Sequence, residues 1–233
     1  MSSAGADKTQ PVDFDAFASE YDAALDRGIS LSGEDKDFFA RGRVEWLKRC
    51  IANVRPERVL DYGCGTGSTS PLLRSVLGAN SVIGVDTSMQ EIALARRNAG
   101  SGLGFATIGE FKPPGDVDLA YCNGVFHHIP LSQRASAIQF IRESLRPGGL
   151  FSFWENNPWN PGTRLVMSRI PFDRDAILVS AREARRLARA GGFKVLSTHF
   201  LFVFPNPLRA LRKLEPSLSS LPLGAQYQVL CQK

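Results

Sequence analysis

The chain is poor in the residues that bind metals or cross-link a fold. Its 233 residues include four cysteines (Cys50, Cys64, Cys122 and Cys231) and three histidines, with no C-x-x-C pair and no metal-ligand spacing. This pattern excludes a disulfide framework and a zinc site, so no metal is expected, and the cysteines read as reduced thiols of a cytoplasmic protein. No apolar run reaches the roughly 20 residues of a membrane span, and the opening MSSAGADKTQ lacks the apolar core of a secretory leader. Cytoplasmic location without a membrane span is the expectation. Also missing is a basic stretch interleaved with aromatics, although the charge is uneven. Residues 151–233 hold 12 Lys and Arg against 5 Asp and Glu, a net of +7, while residues 1–150 carry a net of −2. A basic third of this kind suits nucleic acid, an acidic membrane or an anionic substrate. In SAREARRLARAGG, however, Arg182, Arg185, Arg186 and Arg189 fall at helical spacing opposite Ala184, Leu187 and Ala188, the pattern of a solvated helix face. Nucleic acid is therefore disfavoured as a partner.

What the sequence does have is an alternation of strand and helix patterns. SLSGEDKDFFARGRVEWLKRCIANV reads as a helix capped by Ser32, with Asp35 placed for a capping box. Buried strands are read in ERVLDYG, SVIGVD, GFATIG, VDLAYCNGV and GLFSFWE. Between them lie helices: SPLLRSVLGA capped by Ser70 and ending at Gly78, TSMQEIALARRNAG with Ser88 and Glu91 in capping-box register and Gly100 near its end, and LSQRASAIQFIRESLRPGG capped by Ser132 and stopped by Pro147-Gly148. The arginine-bearing helix, with a Ser180/Glu183 box, precedes two closing strands, FKVLSTHFLFVF and QYQVLCQ. Such alternation implies an α/β fold, a Rossmann-like doubly wound sheet of seven strands. It is expected to be mostly parallel, with an antiparallel C-terminal pair at one edge and QYQVLCQ as the edge strand.

The stretch VLDYGCGTG places Gly63, Gly65 and Gly67 on alternate positions directly after a strand. Each costs ordering entropy, which a close backbone approach or a turn forbidden to side chains would explain. Ser68 stands where a dinucleotide fingerprint wants glycine, and no Lys-Ser/Thr follows, so neither a dinucleotide loop nor a phosphate loop is indicated. Asp86 ends the second strand, where a carboxylate can accept both hydroxyls of a ribose.

With VIGVDTS, GDVDLAYCNGVFHHIP and LRPGGLFSFWE, that stretch resembles the ordered motifs of class I S-adenosylmethionine-dependent methyltransferases over about residues 56–155. The resemblance implies S-adenosylmethionine as cofactor, with Asp61, Gly63, Cys64 and Gly65 under its methionine part. Asp86 is then implied at the ribose, Thr87 and Met89 beside the adenine, Ile108 and Glu110 as further adenine contacts, and Asn123 near the transferred methyl. Glu110 stands where the family usually has aspartate, and Met89 reads equally as core. A Cβ at Gly63 or Gly65 is expected to push the ligand away. Cluster spacing among the cysteines is absent, which disfavours radical or metal-dependent methylation.

His127 and His128 at the predicted mouth are candidate catalytic residues, because histidine suits proton transfer near neutral pH. Shaping the loop is their other reading. Glu155, ending the fifth strand before NNPWNPGTR, is the third candidate and is expected to contact the acceptor, a turn being the alternative. In FDAFASEYDAAL, Phe14, Phe17, Tyr21 and Leu25 form an apolar stripe, which predicts a helical cap from which Tyr21 reaches the cofactor carboxylate or the acceptor, plain packing being the other reading. One domain is expected over 1–233, with a helical cap over 1–52, a core over 53–233 and an acceptor-side insertion near 156–178. The reading is methyl transfer to a small-molecule acceptor. RNA or protein methylation and a non-catalytic cofactor-binding subunit are the alternatives.

Overall fold

A computed structural model describes residues 28–29, 32–170 and 176–233. The stripe containing Tyr21 lies outside the described residues. Helix α1 (Lys36–Cys50) opens on Asp35, whose carboxylate accepts from the Phe38 N–H at 2.8 Å. Ser32 therefore does not cap α1. Its hydroxyl accepts from the Glu34 N–H and donates to the Ile29 carbonyl in the turn before the helix.

The core follows as β1 (Arg58–Tyr62), α2 (Ser70–Leu77), β2 (Ser81–Asp86), α3 (Met89–Arg97), β3 (Leu103–Thr107) and β4 (Val117–Asn123). Then come α4 (Arg134–Ser144), β5 (Leu145–Asn156), α5 (Pro161–Met167), α6 (Ala181–Ala190) and β6 (Lys194–Leu201). A 3₁₀ segment (Asn206–Leu214), a single turn α7 (Glu215–Leu218) and β7 (Gln226–Gln232) complete the chain.

The seven strands form one sheet in the order β3-β2-β1-β4-β5-β7-β6. Strands β1 to β5 pair in parallel, while β7 runs antiparallel to both of its neighbours, β5 and β6. QYQVLCQ thus forms the strand inside the edge, and β6 is the edge itself. Seven apolar or amide side chains make that segment fit for burial on both faces, and its central residues Tyr227–Cys231 are all buried. Alternation along the strands sends Leu60, Phe151, Phe153, Tyr227 and Val229 to a core under α4 and α6. Val59, Leu119, Tyr121, Trp154 and Leu230 face the other core, under α1 and α2.

Two helix ends differ from the sequence reading. Ser70 lies inside α2 rather than capping it, because its hydroxyl donates across to the Asp61 carboxylate at 2.7 Å. Helix α4 begins after Gln133, without a side-chain cap from Ser132, and ends at Ser144, not at Pro147-Gly148. There Leu145 pairs with Val117 of β4, so sheet pairing claims the chain before proline can stop it. Gly78 does terminate α2 in the left-handed conformation (φ +70°), and Ser88 and Ser180 accept from the Glu91 and Glu183 N–H groups as capping residues do.

Candidate active site

Sheet order reverses between β1 and β4, and the loops leaving their carboxyl ends build a cleft there. Gly63, Gly65 and Gly67 all have positive φ (+72°, +53° and +78°). The Gly63 and Cys64 N–H groups both donate to the Val85 carbonyl, folding the loop back over the end of β2. A Cβ on Gly63 would collide with Val125, and one on Gly67 would stand 2.7 Å from the Phe105 ring. Their smallness is thus demanded by the protein's own packing. Only at Gly65 is the neighbour a cleft-lining polar group, the Glu91 carboxylate at 3.1 Å.

The cleft measures about 270 Å³ and is lined by Gly63, Cys64, Gly65, Asp86, Thr87, Ile108 and Asn123, among others. One Asp86 oxygen accepts from the Gly65 N–H at 2.9 Å, the other from the Ser88 N–H at 3.0 Å. The carboxylate is therefore locked at the cleft wall, with further lone pairs available to hydroxyl donors. Burial pushes the Cys64 thiol far above its ordinary range, so at neutral pH it acts as a small apolar wall.

Three of the expected cofactor residues lie elsewhere. Asp61 is buried beneath the loop on the α2 side, holding Ser70. Burial raises its carboxyl to about 6, Asp86 adds to the rise, and the Ser70 hydrogen bond and Arg43 oppose it. Glu110 turns away to Arg96, at 2.8 Å, and to the Thr107 N–H, because its longer side chain closes a turn on β3. These bonds hold its carboxyl below the usual range. Met89 is 71% exposed at the start of α3, in neither the cleft nor the core.

A second cavity, of about 560 Å³, opens on the other side of the β4 loop. Its walls come from Phe38 and Phe39, from Val166 and Ile170, and from the 202–205 turn. Phe202 stands at φ +64°, the only positive φ of a non-glycine among the described residues. Glu215 holds that turn by accepting from the N–H groups of Phe202, Val203 and Phe204 at 3.1–3.2 Å. Lys36, Arg43, Asn123, Gly124 and His128 line both cavities, so the two meet at this loop. The Asn123 side-chain oxygen is buried there without a hydrogen-bond partner among the described residues.

His127 also lines the larger cavity, and its Nδ1 lies 2.6 Å from Glu155, with both side chains buried. The other Glu155 oxygen accepts from the Phe126 N–H at 2.7 Å. Glu155 is therefore not placed to touch an acceptor. It sits on the interior face of β5, among the side chains that enter the core, and orients His127 instead. The structure brings His127, His128 and Asn123 to one mouth. Arg43, which sequence reasoning missed, joins them there. Its signal was an arginine falling on the apolar stripe Ala40, Val44 and Leu47 of α1.

The site is thus a switch-point cleft of a doubly wound sheet, with bare backbone and a fixed carboxylate, joined to a second chamber. Residues 37–198 match the family model described as a methyltransferase domain. A trans-aconitate 2-methyltransferase from Methylobacterium nodulans is 33% identical over 134 residues, 55% of this chain and 51% of that protein. A ribosomal protein L11 methyltransferase from Burkholderia cenocepacia is 35% identical over 128 residues, 54% and 39% of the two chains. The match thus spans about half or less of each relative. In fold, the chain is similar to an S-adenosylmethionine-dependent methyltransferase from Thermotoga maritima, a possible histamine N-methyltransferase. That likeness has a TM-score of 0.64 at 19% identity, covering 94% of this chain and 98% of the other. The chain belongs to the methyltransferase-domain family and has the class I S-adenosylmethionine-dependent fold.

Proposed function

We propose that the chain is a methyltransferase that binds S-adenosylmethionine in the glycine-loop cleft and a small-molecule acceptor in the larger cavity. The observation that carries this reading is the shared lining at Asn123, Gly124 and His128, which lets two ligands meet. The cleft fits the cofactor chemically. Asp86 suits a ribose diol, Ile108 and Cys64 an apolar base, and the unpartnered Asn123 oxygen a donor or a cation. When bound, S-adenosylmethionine supplies a methyl group already activated on a sulfonium.

The chain's own task is to align, exclude water and, for a hydroxyl or carbon-acid acceptor, remove a proton. In this reading His127 donates its Nδ1–H to Glu155, which fixes the tautomer and leaves Nε2 as the basic nitrogen. Helix α1 acts as a cap on the core of 53–233, since it contributes Lys36 and Arg43 to both cavities. A small acceptor is favoured over RNA because Arg182, Arg186 and Arg189 project from the exposed face of α6, which lies outside both cavities. The trans-aconitate relative supports the same choice by name, and the ribosomal-protein relative keeps a protein acceptor as the second reading. Release of S-adenosylhomocysteine in the presence of candidate acceptors tests the proposal. Tight cofactor binding without turnover on any small acceptor would move the assignment to a protein acceptor or a binding subunit.

A further inference from the structure

Eleven large apolar side chains are exposed among the described residues, and seven of them fall in two segments, 159–165 and 208–223. That concentration makes a patch, unlike the single scattered leucines of an ordinary surface. Leu208, Leu211 and Leu214 recur at every third position of the 3₁₀ segment, where three residues per turn stack them in one row, each between 42% and 53% exposed. Leu221 and Leu223 follow after α7, while Trp159 precedes α5 and Leu165 lies within it. The two segments are tied together. Asn157 donates to the Pro222 and Gly224 carbonyls, and Asn160 donates to the Leu223 carbonyl.

Neither the 3₁₀ segment nor α7 has a buried residue, so packing within the chain does not account for their leucines. The 3₁₀ segment is nonetheless fixed in place. Asn206 donates to the Gly33 carbonyl at 2.7 Å, and Arg212 pairs with Glu34 at 2.8 Å while its guanidinium lies over the Phe38 ring. Leu165, Pro205 and Arg212 also line the larger cavity, so the exposed leucines border its mouth.

The charge around the patch selects what covers it. Arg164, Arg169, Arg209 and Lys213 are exposed and make no ion pair among the described residues. The only carboxylate in residues 159–170 and 206–223 is that of Glu215, already committed to the N–H groups of residues 202–204. A second copy of the chain, in a two-fold contact, would bring the same four cations face to face. Single-stranded RNA needs aromatic platforms for its bases, and the patch offers Trp159 alone against six leucines. An anionic bilayer meets both features. Leucines and a tryptophan enter the boundary between headgroups and acyl chains, and the cations face the lipid charge.

We infer that this face of the protein lies on the surface of an anionic bilayer, with the mouth of the larger cavity against the lipid. Such docking needs no occupied cofactor cleft, so it stands or falls apart from the methyltransferase reading.

Flotation of the full chain with vesicles of phosphatidylcholine, alone or with about one third phosphatidylserine, tests this at roughly 100 and 500 mM salt. Wild type is expected to bind the phosphatidylserine vesicles about ten- to a hundredfold more tightly, each cation near such a surface contributing about fivefold. The preference should shrink at the higher salt, and tryptophan fluorescence should shift to the blue on binding, a shift absent from W159F. L208S/L211S/L214S and R209E/K213E, which change exposed side chains outside both cavities, should each lose about tenfold or more in vesicle affinity. No binding of folded wild type to either vesicle overturns the inference and leaves the patch to a protein partner. Equal binding to both vesicles overturns it as well, before any variant is made. A leucine variant that floats as wild type does also overturns it, because charge alone then holds the vesicle. So does a leucine-dependent dimer that ignores vesicles, which would make the patch a contact between copies.

Discussion

At the scale of single residues, Asp61 and Glu155 are buried carboxylates put to different uses. Asp61 is raised to about 6, above the 3.8 of a free carboxyl, chiefly by burial. A raised folded-state value means that the native protein holds the proton longer than the unfolded chain. Stability is therefore full below about pH 4 and declines as pH rises toward 6, by about 2–3 kcal/mol for a shift of this size. Asp61→Asn keeps an acceptor for Ser70 and should remove that decline, which urea unfolding of both proteins between pH 4 and 7 would measure. An unchanged slope would show that other groups set it.

Glu155→Gln leaves one acceptor for two donors, the Phe126 N–H and the His127 ring. The amide nitrogen then faces His127 Nδ1 and favours the opposite tautomer. Nitrogen-15 shifts of the His127 ring should report Nδ1–H in wild type and its loss in the variant. Turnover should fall by about a hundredfold or more if His127 is the base. An unaltered ring spectrum would separate the histidine from the carboxylate.

At the scale of elements, Glu215 shows how a distant turn shapes the acceptor wall. Its carboxylate is the shared acceptor of three consecutive N–H groups and holds Phe202 in the left-handed region. Glu215→Ala should cost about 1–3 kcal/mol and free Phe202 to leave that conformation. Hydrogen exchange should quicken at the amides of residues 202–204 while β5 stays protected. Equal protection in both proteins would assign the turn's rigidity to the packing of Phe38, Phe39 and Phe202 alone.

Elements of this kind were the hardest to read from sequence. The strands SVIGVD and QYQVLCQ were legible to the residue, because each is a short, mostly apolar run bounded by polar residues. The helix caps at Ser88 and Ser180 were legible for their local chemistry. The exchange of β6 and β7 at the sheet edge left no local trace, since both strands carry similar patterns and strand order is a long-range property. The 3₁₀ segment and α7 were likewise unannounced, and so was the reach of Glu215, the first residue of α7, back to the N–H groups of residues 202–204. In the candidate site, Asp86 and the glycine loop were visible from spacing. Glu155 was found but given the wrong partner, because alternation along β5 carries it to the core face beside Phe151 and Phe153.

At the scale of the whole molecule, residues 1–150 carry a net charge of −2 and residues 151–233 one of +7, and the larger cavity is lined from both portions while the glycine-loop cleft is lined from the first alone. No helix among the described residues is long and apolar enough to cross a membrane. A random-sequence RNA bound by the basic third should lose about a thousandfold in affinity between roughly 50 and 200 mM salt. S-adenosylhomocysteine binding should change little over the same range, and filter binding alongside calorimetry would compare the two. A cofactor affinity that falls as steeply as the RNA affinity would show that bulk charge, not the cleft, governs binding.

The central claim is that the loop of residues 63–67 and the Asp86 carboxylate form a seat for an adenosyl ligand. Titration calorimetry of S-adenosylhomocysteine into wild type and Asp86→Ala tests it most directly. One site per chain is expected, with affinity lower by about tenfold or more in the variant through loss of the charged acceptor for the ribose hydroxyls. A flat titration of folded wild type, or equal affinities in the two proteins, would contradict it.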